Sequence, residues 1–166
     1  MLGIDRNAQR VRFATRRFVQ PNLSFKVADC ENLSVPDDSF DLVVSSNTLE
    51  HLSEPVLFLQ SIAKALSRQG ELFIAVPPVL SEADLHQHSS NPEHVSNLSV
   101  RTWVELFERE GWASRYFSHR CCRHLDFHSF RNSVVKAEDF AFVEEGVDAA
   151  YDAAPITAIF RLWRVC

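Results

Sequence analysis

The sequence predicts an α/β fold in which a mainly parallel sheet is covered by helices. Short apolar runs such as Leu72–Val76 alternate with stretches of helical periodicity along most of the chain. These runs lack the polar alternation of a strand with one wet face, so the sheet is expected to be buried on both sides. The length of 166 residues and the 46% hydrophobic content are typical of one globular domain, spanning 1–166.

The elements follow from local signals along the chain, namely caps, turn formers and the period of the apolar residues. In the first half we predict a strand ending at Asp5, a helix from Ala8 to Phe18, a strand from Leu23 to Val27, a loop over 31–39, a buried strand from Phe40 to Val44, a helix capped by Ser53 and closed by Gly70, and a buried strand from Leu72 to Val76. In the second half we predict a long loop from Leu80 to Asn97, a helix capped by Ser99 and ended by Gly111, a strand over 113–119 and a final strand from Ile156 to Val165. Residues 120–150 form an irregular insertion with an acidic, helical piece near Lys136 to Glu145.

Composition excludes several classes of protein. The net charge of -5 argues against a nucleic-acid-binding domain, whose surface is normally basic. No apolar run approaches the roughly 20 residues of a membrane helix, and no hydrophobic signal segment begins the sequence. The four cysteines lack the CxxC spacing of a zinc knuckle and suggest no disulfide framework, so we expect reduced thiols in a cytoplasmic protein.

Polar side chains follow the predicted parallel strands where each strand ends. These are Asp5, Asp29, Ser46 and Asn47. Ligands of open α/β sheets bind beyond the carboxyl ends of the strands, so we expect these side chains to converge at one edge.

Residues 28–78, ADCENLSVPDDSFDLVVSSNTLEHLSEPVLFLQSIAKALSRQGELFIAVPP, resemble the middle of a class I S-adenosylmethionine-dependent methyltransferase. The flanking segments GIDRN and HVSNLSVRTWVELFEREGW agree with that resemblance, which covers roughly residues 2–119 and 156–165. It implies a Rossmann-like sheet with a C-terminal antiparallel hairpin, S-adenosylmethionine as cofactor and, since the small-molecule and sugar enzymes are the most similar, a small metabolite or sugar as substrate.

The resemblance also implies roles for the residues at the strand ends. Asp5 would accept hydrogen bonds from the ribose hydroxyls, and Asp29 would meet the adenine amino group. The backbone N–H of Cys30 would face a ring nitrogen, while Ser46 and Asn47 would approach the methionine end. From local sequence alone, Asp5 is equally explained as a helix cap and Asp29 as a turn-forming aspartate.

Methyl transfer from a sulfonium mainly requires alignment, and a base is needed only when the nucleophile arrives protonated. His51 in LEHL is the first candidate for that base, and His94 in NPEHVSNLS is the second, for substrate contact or proton transfer. His51 could instead pack or cap locally. His86, His88 and His94 also suggest a metal site, but a flexible loop gives no preset ligand geometry, so we predict no metal.

The resemblance starts at the family's second strand, without the first strand and its glycine-rich turn. The four glycines of the chain are far apart, so no such turn lies within it. Either the chain is a fragment of a longer enzyme, which we favour, or the two flanking strands pair directly, or another chain supplies the strand. For the 166 residues alone we expect weak or absent cofactor binding. The alternative function is a non-catalytic module that binds a protein partner or forms a homodimer through exposed strand edges.

Overall fold

The computed structural model describes residues 1–121, 140–149 and 155–165. The strands are β1 (Leu2–Asp5), β2 (Ser24–Val27), β3 (Phe40–Ser46), β4 (Leu66–Val76), β5 (Trp112–Cys121), β6 (Phe140–Glu145) and β7 (Thr157–Arg164). The α-helices are α1 (Ala8–Arg17), α2 (Pro55–Ala65), α3 (Glu82–Ser89) and α4 (Val100–Arg109). Two short 3-10 helices, η1 (Cys30–Asn32) and η2 (Leu49–His51), follow β2 and β3. Among the described residues, none of the helices combines the length and apolarity needed to cross a membrane.

The strands form one five-stranded sheet and one separate pair. The five-stranded sheet has the order β3-β4-β7-β5-β6, and β1 pairs only with β2 among the described strands. The β1–β2 and β3–β4 pairings are parallel, whereas β7 runs antiparallel to both β4 and β5, and β6 antiparallel to β5. The predicted α/β class with antiparallel C-terminal strands is therefore confirmed.

The core joins α2 and α4 to the central strands of the larger sheet. Trp103 and Phe107 of α4 are almost fully buried, and their rings stack 5.9 Å apart. Phe107 also meets Phe160 of β7 edge-on, with ring centroids 5.2 Å apart. Each such side chain contributes on the order of 1.5–3 kcal/mol by leaving water. This core holds the carboxyl end of β4 in place beside that of β3.

The β1–β2 pair does not join β3, so the expectation that the strands flanking the missing one could pair directly is wrong. The pair is held instead through the segment after β2, where Cys30 and Leu33 pack against the main core. Among the described strands β3 forms the edge of the larger sheet, and its Leu42 and Val44 side chains are 55% and 67% exposed. β3 is therefore not the fully buried strand that its apolar sequence predicted.

The boundaries around α2 also differ from the prediction. The helix ends at Ala65, and Leu66–Gly70 already belong to β4. Its N-terminal cap position is Glu54, which makes no side-chain capping bond, while the Ser53 hydroxyl donates to Glu31. Pairing with the start of β3 overrides the local helical pattern, since the amide of Ser39 donates to the carbonyl of Ala65 at 2.8 Å.

Two further elements of the structure differ from those predicted from the sequence. The predicted loop from Leu80 to Asn97 contains α3, which is capped by Ser81 and has no buried residue, so it lacks the apolar stripe used to recognise a helix. Residues 140–145, predicted as part of a helical piece, form β6 because they pair with β5. Residues 122–139 of the insertion lie outside the described residues.

Candidate functional site

The carboxyl ends of β1 and β2 lie side by side because the two strands pair in parallel. The amide of Ala28 donates to the carbonyl of Asp5 at 3.2 Å. The Asp5 carboxylate accepts a hydrogen bond from the Asn7 amide at 2.7 Å, and its second oxygen lies 3.8 Å from Arg10. Asn7, and not Asp5, caps α1. The side chain of Asp5 is therefore held in place at the strand end while about a third of it remains exposed.

Asp29 and Cys30 open the short helix η1. The exposed Asp29 carboxylate caps this helix by accepting from the Glu31 amide at 3.0 Å. Burial, and next the charge of Asp29, raise the pKa of the half-buried Cys30 thiol, which disfavours a reactive thiolate. Glu31 then accepts hydrogen bonds from the Ser53 hydroxyl and the Glu54 amide. The segment after β2 is thereby tied to the segment after β3.

Ser46 and Asn47 form the turn that leaves β3. Asn47 has a φ of +48°, in the left-handed region that asparagine tolerates better than most residues. Its amide donates to the carbonyl of Ala75 at 2.9 Å, which anchors the turn to the end of β4. Both side chains are exposed, and the chain continues directly into η2.

The structure brings together His51 and His94, which the sequence singled out separately. Their ring centroids are 4.9 Å apart in an edge-on arrangement. The amides of Val95 and Ser96 donate to the carbonyl of Glu50 at 2.9 and 3.0 Å, so the segment carrying His94 is fixed against η2. The Nδ1 atom of His51 lies 2.8 Å from the carbonyl oxygen of Glu93. Because a carbonyl only accepts, Nδ1 is the donor in this bond, and in the neutral imidazole Nε2 then carries the lone pair.

Glu50 is a site residue that the sequence analysis missed. Its side chain is 4% exposed, Oε1 lies 3.9 Å from His51 Nε2, and Oε2 has no hydrogen-bond partner. Burial raises the pKa of this carboxyl, an effect that its own backbone hydrogen bond and the neighbouring histidines partly oppose. The available signal was an acidic residue placed between Leu49 and Leu52, beside a histidine.

The remaining predicted residues are placed as follows. His86 is exposed on α3, whereas His88 stacks on His94 with ring centroids 5.8 Å apart. The Cys30 thiol is free. The side chains of the three other cysteines lie outside the described residues.

The hydrogen-bond acceptors at the ends of β1 and β2 fit an adenosyl group. Two carboxylates lie at adjoining strand ends, and a carboxylate is an acceptor for ribose hydroxyls and for an exocyclic amino group. Each uses one oxygen in a local hydrogen bond with a backbone amide. Parallel strand pairs that present acidic groups at their carboxyl ends, within an α/β fold, are typical of Rossmann-like nucleotide-binding folds.

Comparison with known proteins specifies that class. Residues 1–74 match the family model described as "Methyltransferase domain". The chain is 28% identical over 116 residues to the uncharacterized methyltransferase YcgJ of Bacillus subtilis, which covers 64% of the chain and 46% of that protein. It is 31% identical over 77 residues to phosphoethanolamine N-methyltransferase 1 of Arabidopsis thaliana, covering 45% of the chain and 16% of the relative. The chain thus spans less than half the length of these relatives.

Solved structures show the same fold. The crystal structure of a SAM-dependent methyltransferase of Thermotoga maritima matches with a TM-score of 0.71 at 14% identity, over 98% of this chain and 72% of that one. A Haloferax volcanii methyltransferase in complex with the Trm112 activator matches with a TM-score of 0.66 at 20% identity, over 98% of this chain and 71% of that one. Residues 1–74 thus match a methyltransferase domain model, and the chain has the fold of S-adenosylmethionine-dependent methyltransferases.

Proposed function

We propose that this chain carries the cofactor-binding edge and the acceptor side of an S-adenosylmethionine-dependent methyltransferase acting on a hydroxyl or amine of a small metabolite or sugar. The observation that carries the proposal is the connection between the two halves of the site. Glu31, after β2, accepts hydrogen bonds from the segment after β3, and His51 in that segment contacts His94. The net charge of -5 favours a small acceptor over a nucleic acid.

Cofactor contacts are assigned to the strand ends. Asp5 would hold the ribose and Asp29 the adenine amino group, with the amide of Cys30 beside the ring. Ser46 and Asn47 would lie at the methionine end, where Asn47 adopts the left-handed backbone conformation and both side chains are exposed. When bound, S-adenosylmethionine supplies an activated methyl group, so the chain has to align the acceptor and exclude competing nucleophiles.

Proton removal from the acceptor is assigned to the histidine pair. The Nδ1 proton of His51 is held by the Glu93 carbonyl, so Nε2 is the atom with a free lone pair. His94 packs edge-on against that ring and has a buried Nδ1 without a hydrogen-bond partner.

The cofactor assignment is tested by titrating the labelled chain with S-adenosylhomocysteine while recording amide chemical shifts. This method detects weak binding, which we expect because the glycines of the chain are too far apart to form the family's glycine-rich turn. The expected result is a set of saturable shifts centred on Asp5, on residues 29–30 and on residues 46–47. Asp5→Asn should weaken the binding.

Asp41→Asn is the matched control, because Asp41 is also exposed but lies at the opposite end of β3, where it accepts from Ser67 at 2.8 Å. Equal losses in the two variants, or shifts centred away from the strand ends, would contradict the assignment. We propose a cytoplasmic location, because the spacing of the four cysteines suggests no disulfide framework.

A non-catalytic interaction module is the second proposal, and the free edge of β3 favours it. Leu42 and Val44 are more than half exposed on the same face of β3, which pairs with β4 on one side and has no partner on the other among the described strands. Such an edge can pair with a strand of a second copy or of a protein partner. Light scattering after size exclusion tests the dimer: the wild-type chain should dimerise and Val44→Lys should be monomeric, whereas a monomeric wild type removes the homodimer from this proposal.

A further inference from the structure

We propose that Glu50, His51 and His94 form a binding site for a divalent transition metal ion, with zinc the best match. One ligand atom from each of the three residues can be chosen so that all lie within 4.8 Å of one another. The residues come from η2 and from the segment after α3, so sequence spacing alone does not reveal the site. The inference does not rest on methyl transfer or on cofactor binding. A metal ion on His51 Nε2 would occupy the lone pair that the proposed proton removal uses, so the two roles of His51 exclude each other.

The side-chain chemistry matches this class of metal. Two imidazoles and one carboxylate are common ligands of zinc, and sites with three protein ligands leave a position for water or for an oxygen of another molecule. Zinc bonds of about 2.0–2.1 Å at tetrahedral angles place ligand atoms roughly 3.3 Å apart. Glu50 Oε1 lies 3.9 Å from His51 Nε2, and the ligand atoms of all three residues lie within 4.8 Å of one another. Zinc binding therefore requires these atoms to approach one another by about 0.6–1.5 Å.

Two buried atoms in the cluster lack a partner. Glu50 is nearly fully buried, yet its Oε2 accepts no hydrogen bond. His94 Nδ1 is also buried without a partner. A buried carboxylate without compensation is costly, and so is a buried ring nitrogen left unsatisfied. A bound cation satisfies both groups at once.

The hydrogen bond of His51 orients the ring as metal-binding histidines are usually oriented. Metal-bound imidazoles commonly donate their second N–H to a backbone carbonyl, which fixes the tautomer and the ring plane. His51 Nδ1 makes this bond to Glu93 at 2.8 Å and leaves Nε2 facing Glu50. The hydrogen bond that would orient His51 toward a metal ion is therefore already present in the structure.

The experiment is a zinc titration of the metal-free full chain by calorimetry, followed by cobalt substitution. We expect one equivalent to bind with a dissociation constant in the micromolar range or below. Glu50→Gln and His94→Ala should each weaken binding by at least about tenfold, the size seen when a metal site loses a supporting group. Cobalt should give visible d–d bands without a thiolate charge-transfer band, because no cysteine is proposed as a ligand.

His86→Ala is the matched control, since His86 is an exposed histidine of α3 outside the cluster. It should bind zinc as the wild type does. Circular dichroism verifies that each variant is folded, and the conservative Glu50→Gln keeps the test valid if His94→Ala does not fold. Absence of binding in excess zinc, a thiolate band with cobalt, or a loss in His86→Ala equal to that in Glu50→Gln would overturn the proposal. S-adenosylhomocysteine binding is measured separately, so either result stands alone.

Discussion

Replacing Gly70 by alanine should destabilise the protein because β4 has no room for a side chain at that position. A Cβ atom built on Gly70 lies 2.8 Å from Leu66 Cδ2, 3.0 Å from the carbonyl oxygen of Ser67 and 3.1 Å from that of Phe40. The Leu66 methyl can rotate away, but the two carbonyl oxygens belong to the backbone. One of them is on β3, so the alanine must push the paired strands apart at the start of their register.

Overpacking of this kind costs typically about 1–3 kcal/mol. For a chain of this length, each kcal/mol lowers the melting temperature by roughly 2–4 °C. Gly70→Ala should therefore melt several degrees below the wild type in a calorimetric or circular-dichroism scan. Gly70→Asn should melt lower still, since the longer side chain meets the same carbonyl oxygens.

Two other glycines serve as controls. Gly146 has no atom within 4 Å of its added Cβ and no positive φ, so Gly146→Ala should change the stability by less than about 0.5 kcal/mol. Gly111 has the same open space but a φ of +79°, so Gly111→Ala should be destabilising and Gly111→Asn largely rescued. If Gly70→Ala melts with Gly146→Ala, or if asparagine is better than alanine at position 70, the packing argument fails and Gly70 behaves as a helix terminator.

Three further predictions concern stability and its pH dependence. Phe107→Ala should cost about 3–5 kcal/mol in denaturant unfolding, because the ring is fully buried between Trp103 and Phe160, and a loss below about 1 kcal/mol would contradict that packing. Asn47→Val should cost about 1–2 kcal/mol while Asn47→Gly leaves the melting temperature nearly unchanged, and equal effects would show that φ is not the cause. Burial lowers the pKa of His119 from its ordinary 6.5, so the unfolded chain binds this proton more readily than the folded chain does. The wild type should therefore lose stability relative to His119→Gln as the pH falls below about 6.5. Stability curves of the two proteins that run parallel over this range would refute the prediction.

The element types were largely predictable, since caps and apolar periodicity are local signals. α4 begins after Ser99, as its capping serine predicts, and the side chain accepts from the Thr102 amide. α3 was missed because a helix without a buried face has no apolar stripe. The end of α2 was misplaced because Leu66 fits the helical spacing equally well, and only its pairing with Phe40 decides for the strand.

Some residues of the candidate site could also be predicted from the sequence, and others could not. The acidic and polar residues at the strand ends could be predicted, because a parallel strand order fixes the edge at which they emerge. His51 and His94 could be named but not placed together, since Glu93, whose carbonyl holds the His51 ring, lies 42 positions further along the chain. Glu50 escaped prediction because its burial and its unpaired oxygen are properties of the folded chain.

The amino-acid sequence by itself determined the α/β class, most strands and helices, and the resemblance to methyltransferases, since these rest on patterns of neighbouring residues. Only the tertiary structure decided that β1 and β2 stand apart from β3 and that a buried carboxylate meets two imidazoles. The pairing of distant strands and the burial of an ionisable group depend on contacts between segments far apart in sequence, and no local pattern specifies which segments meet.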